Sequence, residues 1–403
     1  MLNALWLLVL TAAGCWAIWA GHSLLTLAVA LSALVSASLM LWRRFSLTGV
    51  TYARRLGNHH VPFGATVEMT VELINLKPLP LTWLQIEDNI PRRFRIEGGS
   101  VQQGRRSEFF QIVVAMLPYE RVVRHLRVHC IRRGEHEFGP AEVRSGDYLG
   151  VLTSYGTFRE TERLVVYPKI FPVRLGRLPS NQILGKDAAR RIFLIDPLRA
   201  VGAREYTPAD PYRSIDWRAT ARLGALMVRV LEPSTTPVVD LVLNFRIPTF
   251  SSGNTEPDEL EFAISVAASL AAYALEKRWA VGLRGNGASG GAPLGVRPSA
   301  APAQLREILE ALTRADTTPS GPLAPLVARP ATGMPTRATL LLVTTMLDAA
   351  LVSALRDLHR RGAPLLVILL GTAGAAAGTL DCPIVRVDYD THWTEREALV
   401  LGS

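Results

Sequence analysis

The first 42 residues contain no Lys, Arg, Asp or Glu, and this uncharged stretch constrains the fold more than any other feature of the chain. Two apolar segments, 2–20 and 23–42, are each long enough to cross a bilayer as a helix, which takes about 20 residues. Only Gly21 and His22 separate them, so the sequence predicts a transmembrane helical hairpin over 1–44. The alternative is a secretory signal peptide, which would need a basic region before its apolar core, and the first segment has none.

Positive charge predicts how this hairpin is oriented. Arg43 and Arg44 directly follow the second apolar segment. The positive-inside rule places them, and the chain that follows, in the cytoplasm, so we expect a two-pass protein with both termini cytoplasmic. The formal charge of +9 lies entirely outside the apolar region, and beside a membrane such a charge attracts anionic lipids. No RGG tract, zinc-finger spacing or basic helix predicts binding to nucleic acid.

Residues 45–175 have the pattern of an all-β domain. Segments such as 66–75, 107–117 and 121–130 are rich in β-branched and aromatic residues, and turn-forming residues separate them. In 66–75, apolar Val67, Met69, Val71 and Leu73 alternate with polar residues. Short alternating strands at this spacing predict a β-sandwich of immunoglobulin-like type.

Residues 236–403 change to alternating strands and helices. Strands are predicted at 237–245, 280–284, 338–346 and 364–371, and helices at 256–278, 301–315 and 348–361. This order predicts a mainly parallel sheet covered by helices on both faces, a plan that resembles the von Willebrand factor A fold. Residues 176–235 would join the two domains.

Two segments of the α/β domain have spacings related to those of known ligand sites. The segment 285–290, GNGASG, has dinucleotide-binding spacing, but two prolines precede the next helix, so we expect a flexible surface loop and no cofactor. A von Willebrand factor A metal site carries D-x-S-x-S after its first strand. Here Asn244, Arg246 and Pro248 occupy those places, and an arginine would repel a cation, so the motif is degenerate and no metal is expected.

No catalytic constellation is present in the sequence. The histidines are dispersed, there is no HExxH or G-x-S-x-G motif, and the three cysteines form no CxxC pair. Cysteines at such positions are typical of a reducing compartment.

The segment 204–233 concentrates charged and aromatic residues between the two domains. It is expected to form a turn and then a short helix over 214–224, with Ser214 as the N-cap, Asp216 at its positive end and Gly224 at its end. Three interpretations stay open: a buried network of ion pairs, an exposed surface for a protein partner, or an anion site built from arginines.

This segment resembles the bacterial family called domain of unknown function 58, whose signature runs approximately R-E-Y-x-x-G-D-x-x-R-x-I-D-W-x-x-x-A-R. Ala209 stands where the family has Gly, and 132–150 and 165–170 are similar to two further family segments. The candidate residues for partner binding or structure are Arg204, Glu205, Tyr206, Asp210, Arg213, Asp216, Trp217 and Arg222. The resemblance implies membrane anchoring and a role beside MoxR-type AAA+ ATPases.

These observations favour a membrane-anchored, cytoplasm-facing and non-enzymatic adaptor or assembly factor that works with a MoxR-like AAA+ ATPase and envelope proteins. The alternative is an enzyme or binding protein for an anionic ligand, which would use the arginines between Arg204 and Arg222. A third hypothesis, metal-dependent adhesion, predicts stabilisation by Mg²⁺.

Overall fold

The structure is a computed structural model, and its residues form two compact units, Met1–Val166 and Tyr167–Ser403. The residues that it describes are 4–21, 23–91, 94–98, 100–103, 108–147, 153–175, 194–207, 212, 215–234, 237–247, 258–329, 338–371 and 382–401.

The first unit begins with two helices, α1 (Ala4–Trp19) and α2 (Ser23–Phe45). Gly14 of α1 lies against Val29 of α2, so the helices pack together. Among the described residues, α2 is the one helix long and apolar enough to cross a membrane. The 16 residues of α1 would span about 24 Å, less than the roughly 30 Å of a bilayer core. Of the two predicted spans, the structure therefore supports the second.

The rest of the first unit is a β-sandwich. One sheet has the strand order β1-β3-β8-β5, the other has the order β11-β10-β4-β7-β6, and a small sheet joins β2, β12 and β9. The strands are β1 (Val50–Leu56), β2 (His60–Val61), β3 (Thr66–Asn75), β4 (Leu81–Ile90), β5 (Arg95–Glu97), β6 (Ser100–Gln103), β7 (Glu108–Met116), β8 (Arg121–His129), β9 (Gly134–Phe138), β10 (Ala141–Gly146), β11 (Thr153–Phe158) and β12 (Glu162–Val166).

Alternation along the strands produces the core of the sandwich. The predicted apolar face of β3 is buried, with Val67, Met69, Val71 and Leu73 at most 2% exposed, and the side chains of both sheets meet in one cluster. The two large sheets are also joined by polar contacts: Arg54 of β1 donates to both carboxylate oxygens of Asp88 on β4. The hydroxyl of Tyr52 donates to the same carboxylate at 2.6 Å, and burial raises the pKa of Tyr52 far above its usual range, so this donor stays protonated.

The second unit is an α/β unit with a seven-stranded sheet and two small strand pairs. Its elements are β13 (Val173–Leu175), β14 (Leu194–Glu205), α3 (Trp217–Leu223), β15 (Met227–Ser234), β16 (Val238–Leu243), α4 (Asp258–Glu276), β17 (Ala280–Ser289), β18 (Ala292–Ser299), α5 (Gln304–Thr313), β19 (Ala315–Pro319), α6 (Ala324–Ala328), β20 (Thr339–Thr344), α7 (Ala349–Arg360), β21 (Leu365–Leu370), β22 (Ile384–Val387), a 3-10 turn (Trp393–Glu395) and β23 (Leu399–Leu401).

The large sheet has the order β18-β17-β16-β20-β21-β22, with β19 also paired to β17. Strands β16, β17, β20, β21 and β22 are parallel, whereas β18 and β19 run antiparallel to β17. Every residue of β16 and β21 is buried, as expected for parallel strands covered on both faces. Of the small pairs, β13 pairs with β23 and β14 pairs with β15.

The prediction of a flexible loop at 285–290 is wrong. Residues 285–289 continue β17, and Gly285 and Gly287 are buried. A Cβ atom at Gly287 would lie 2.9 Å from the ring of Phe245, so glycine is needed here for close packing. The glycine at position 287 is thus explained by packing against Phe245.

Candidate functional site

The family-like segment is built on the antiparallel pair of β14 and β15. Glu205 lies opposite Met227 and Arg204 lies opposite Val228. The backbone N–H of Asp216 donates to the carbonyl of Met227 at 2.8 Å, which brings the chain after the turn back to β15. Ile215, Met227 and Val228 are buried, so a small apolar contact holds the segment in place.

The short helix α3 is closed at both ends by its own residues. The carboxylate of Asp216 accepts hydrogen bonds from the backbone N–H groups of Arg218 at 3.0 Å and Ala219 at 3.1 Å. Asp216 is therefore the N-cap, and the prediction of Ser214 for this role is wrong. The carboxylate suits the position since it satisfies two N–H groups and carries negative charge at the positive end of the helix. Gly224 ends the helix in the left-handed conformation, as predicted.

No residue of α3 is buried. Trp217 is 68% exposed, and Tyr212, at the turn before the helix, is 76% exposed. Leu223 and Leu226 are also exposed, and so are the guanidinium-bearing residues Arg218 and Arg222. We call Tyr212, Trp217, Arg218, Arg222, Leu223 and Leu226 the α3 surface. Large apolar side chains and arginines are thus both exposed on and beside a helix that is capped at each end.

The other candidate residues have different surroundings. Arg204 and Glu205 are exposed, and Arg204 Nη1 donates to the carbonyl of Glu205 at 3.1 Å. Tyr206 is half-buried and stacks on Tyr212 with 5.8 Å between ring centroids. Asp210 and Arg213 lie outside the described residues. Among the candidates that are described, the charged side chains of α3 face solvent, which does not fit a buried ion-pair network.

A second polar site lies where the parallel strands end. Asn244 follows β16, and its Nδ2 donates to Thr344 Oγ1 at 3.0 Å. Asn244 Oδ1 accepts from the backbone N–H of Arg246 and from Asn286 Nδ2, both at 3.1 Å. Asn286 Oδ1 in turn accepts from the backbone N–H of Phe245 at 2.8 Å. These buried amides and the hydroxyl bond one another, so the network fixes the turn after β16.

Arg246 projects from this turn and pairs with Asp348 at 3.3 Å. Asp348 is also the N-cap of α7, since its carboxylate accepts from the backbone N–H of Leu351 at 2.7 Å. Pro248 lies outside the described residues. A guanidinium so close to the carboxylate of Asp348 disfavours a divalent cation there. In the part of the chain that the structure describes, no group of three or more His, Cys, Asp or Glu side chains could hold a metal ion.

Two features of these sites were not found from the sequence. The exposure of Leu223 and Leu226 could have been suspected, because both flank the end of a short charged helix. The role of Asn286 was hidden, because the residue lies inside the glycine-rich segment that was predicted to be a loop.

The described residues thus define a multidomain protein with an N-terminal apolar helix, a β-sandwich and an α/β unit. Residues 202–370 match the family model described as Protein of unknown function DUF58. The match covers the charged and aromatic segment and confirms that this region of the chain is similar to the DUF58 family. It is also similar to the "Uncharacterized protein YeaD" of Bacillus subtilis (strain 168), with 26% identity over 239 residues. That match covers 59% of this chain and 56% of the relative, so the chain aligns with little more than half of the relative's length.

Solved structures resemble parts of the chain weakly. The CARDB domain of PF1109 from Pyrococcus furiosus matches with 14% identity, a TM-score of 0.20, and coverage of 29% of this chain and 91% of that chain. The cohesin module of a family 33 glycoside hydrolase from Clostridium perfringens matches with 13% identity, a TM-score of 0.22, and coverage of 30% and 97%. TM-scores this low carry no argument about the fold, and the β-sandwich is assigned from the strands of the structure itself.

Proposed function

We propose that this protein is a membrane-anchored, cytoplasm-facing adaptor or assembly factor that is not an enzyme and that binds a MoxR-like AAA+ ATPase through the α3 surface. The observation that carries the proposal is the exposure of Trp217 and Tyr212 beside Arg218 and Arg222. Trp, Tyr and Arg contribute most of the binding energy in protein interfaces. An exposed Trp on a helix that is capped at both ends is already held in place, so binding costs little ordering entropy.

The anchoring part of the proposal rests on the N-terminal helices. The helix α2 is apolar over a membrane-spanning length, and Arg43 and Arg44 lie in its last turn. By the positive-inside rule, these arginines support a cytoplasmic location for the chain that follows. We propose that α1 enters the bilayer with α2 as a short hairpin and returns the N-terminus to the same side. The contact of Gly14 with Val29 supports this pairing.

For the second unit, we propose a von Willebrand factor A-like domain that needs no metal. Parallel strands with β16 in the middle of the sheet and antiparallel strands at one side support this assignment. Where a metal-dependent domain would bind its cation, Asn244 is engaged with Thr344 and Asn286, and Arg246 is paired with Asp348.

Site-specific photocrosslinking tests the proposal. A photoreactive amino acid replaces Trp217 in the full chain, and in a matched control it replaces Val400, an exposed apolar residue of the same unit. We expect ultraviolet light to link position 217, and not position 400, to an AAA+ ATPase in membranes. Crosslinks from position 217 that never contain an AAA+ ATPase would contradict the proposal.

A further inference from the structure

The connection between α2 and the β-sandwich is short and held by several hydrogen bonds. Residues 46–49 are all that separate Phe45, the last residue of α2, from Val50, the first residue of β1. Four residues reach at most about 14 Å even when fully extended. The sandwich therefore lies immediately beside the end of the apolar helix.

Polar contacts from both large sheets fix this connection. Lys77, in the loop after β3, is buried and donates from Nζ to the carbonyls of Ser46 and, at 3.0 Å, Thr48. Ser154 of β11 donates from Oγ to the carbonyl of Arg43 at 2.9 Å. One carbonyl in the last turn of α2, that of Arg43, and two carbonyls of the connection thus bond side chains of the sandwich, which sets the direction in which the helix leaves it.

Exposed apolar side chains lie in two loops at this same end of the sandwich. Leu76 is exposed, and its backbone N–H donates to the carbonyl of Gly49 at 2.7 Å. Leu117 and Tyr119, in the turn between β7 and β8, are 68% and 67% exposed. We call Leu76, Leu117 and Tyr119 the helix-proximal patch.

The buried side chain of Asn75 holds the two loops of the patch together. Its Nδ2 donates to the carbonyl of Leu79 in one loop at 3.0 Å and to that of Leu117 in the other at 2.9 Å. Tyr119 adopts a φ of 60°, a left-handed conformation that tyrosine rarely takes. Strain of this kind persists where the surroundings enforce it, and it is common at binding sites.

The chemistry around the patch fits a lipid bilayer. Arg43 and Arg44 are exposed at the end of α2, and basic residues at this position attract anionic headgroups. Tyrosine is enriched at the membrane–water interface because its ring is apolar and its hydroxyl is polar. Glu120, next to Tyr119 in the chain, is half-buried and accepts the backbone N–H of Leu117 at 2.5 Å.

We propose that the helix-proximal patch docks on the bilayer that α2 enters, with Leu76, Leu117 and Tyr119 in the headgroup region, so that the sandwich is held in one orientation on the membrane. This inference rests on the membrane anchoring proposed above. It adds a second contact with lipid, made by loops of the sandwich.

Nitroxide labels on the full chain in nanodiscs that contain anionic phospholipid test this docking. Single cysteines replace Leu117 and Tyr119 in the patch. Ile131 serves as the matched control, because it is an exposed apolar residue just beyond the other end of β8. Leu31, an exposed residue of α2, serves as the membrane reference. All of these variants also carry Cys15→Ser, which removes the exposed native cysteine. Cys130 and Cys382 are buried, and burial raises the pKa of Cys130 to about 11, so little thiolate is available there for labelling.

The measurement is the collision rate of each label with oxygen, which concentrates in lipid, relative to a water-soluble nickel chelate. We expect this ratio to be several-fold higher at positions 117 and 119 than at position 131, and highest at position 31. If the label at position 31 is shielded from the chelate, but the labels at positions 117 and 119 give the same ratio of collision rates as the label at 131, the proposed docking is wrong and the membrane anchoring stands. If position 31 is also open to the chelate, the anchoring is wrong and the docking fails with it.

Discussion

Arg284 of β17 and Asp240 of β16 form a buried ion pair across neighbouring parallel strands, with Arg284 Nε 3.0 Å from Oδ1 and 2.9 Å from Oδ2 of Asp240. Arg284 Nη1 also donates to the carbonyl of Leu326 at 2.5 Å, in α6, and to that of Arg329 at 2.6 Å. One guanidinium therefore joins the centre of the sheet to the segment that covers it.

We expect Arg284→Met to destabilise the second unit by about 3–5 kcal/mol, because a buried carboxylate loses its partner. The double variant Asp240→Leu with Arg284→Met should recover much of this loss, since it leaves no charge unpaired. Chemical unfolding of the full chain in detergent measures the free energy of unfolding of the single and the double variant relative to the native chain. A loss below about 0.5 kcal/mol for the single variant, as at ordinary surface sites, would show that the pair is not buried in solution.

Asp216→Ala should cost about 1 kcal/mol, the usual effect of removing a helix N-cap. The carboxylate accepts two backbone N–H groups of α3, and water can replace it at this exposed helix. Arg218→Ala, on the same helix, is the matched control and should change stability by less than about 0.5 kcal/mol. If Asp216→Ala instead costs several kcal/mol, the signature residues form a buried network, contrary to the structure.

Magnesium should not change the thermal stability of the protein. Arg246 pairs with Asp348, and the Asn244 side chain is engaged with Thr344 and Asn286, so the edge of the sheet offers no free set of oxygen ligands among the described residues. Thermal melts with and without millimolar Mg²⁺ measure this. A rise in the melting temperature that Asp348→Asn abolishes would restore the hypothesis of metal-dependent adhesion.

The buried Lys77 predicts a pH dependence. Burial lowers the pKa of its ammonium group to about 8, whereas the unfolded chain keeps the usual value near 10.5. Between these values the unfolded state binds more protons, so the contribution of Lys77 to stability rises as the pH increases through this window. The melting temperature of the native chain relative to Lys77→Met should therefore be higher at about pH 9.5 than at about pH 7. An equal difference at both pH values would contradict the predicted shift.

Much of the fold follows from periodicity in the sequence. Alternation at 66–75 predicts β3 and its buried face, and Asp348 and Gly362 bracket the helix that forms at Ala349–Arg360. Contacts between distant residues have no such local signal. The role of Gly287 depends on the ring of Phe245, and the bonds of Asn75 depend on a turn more than 40 residues away.

The candidate site was predictable in position and less so in arrangement. The composition of the segment indicates where the candidate site lies, but Asp216 caps the helix in place of the predicted Ser214, because a carboxylate there can accept from two backbone N–H groups. Solvent exposure of Trp217 could not be read from the sequence, because the same residues would also suit a buried strut.

Binding of the full chain in nanodiscs to a purified MoxR-like AAA+ ATPase tests the central claim most directly. Trp217→Ala should weaken the complex by about 30-fold, which corresponds to about 2 kcal/mol for an interface hot spot. Val400→Ala, an exposed apolar residue of the same unit, should leave the dissociation constant unchanged. Equal affinities of the native chain and Trp217→Ala for the ATPase, or no binding by either, would contradict the proposal that the ATPase binds to the α3 surface.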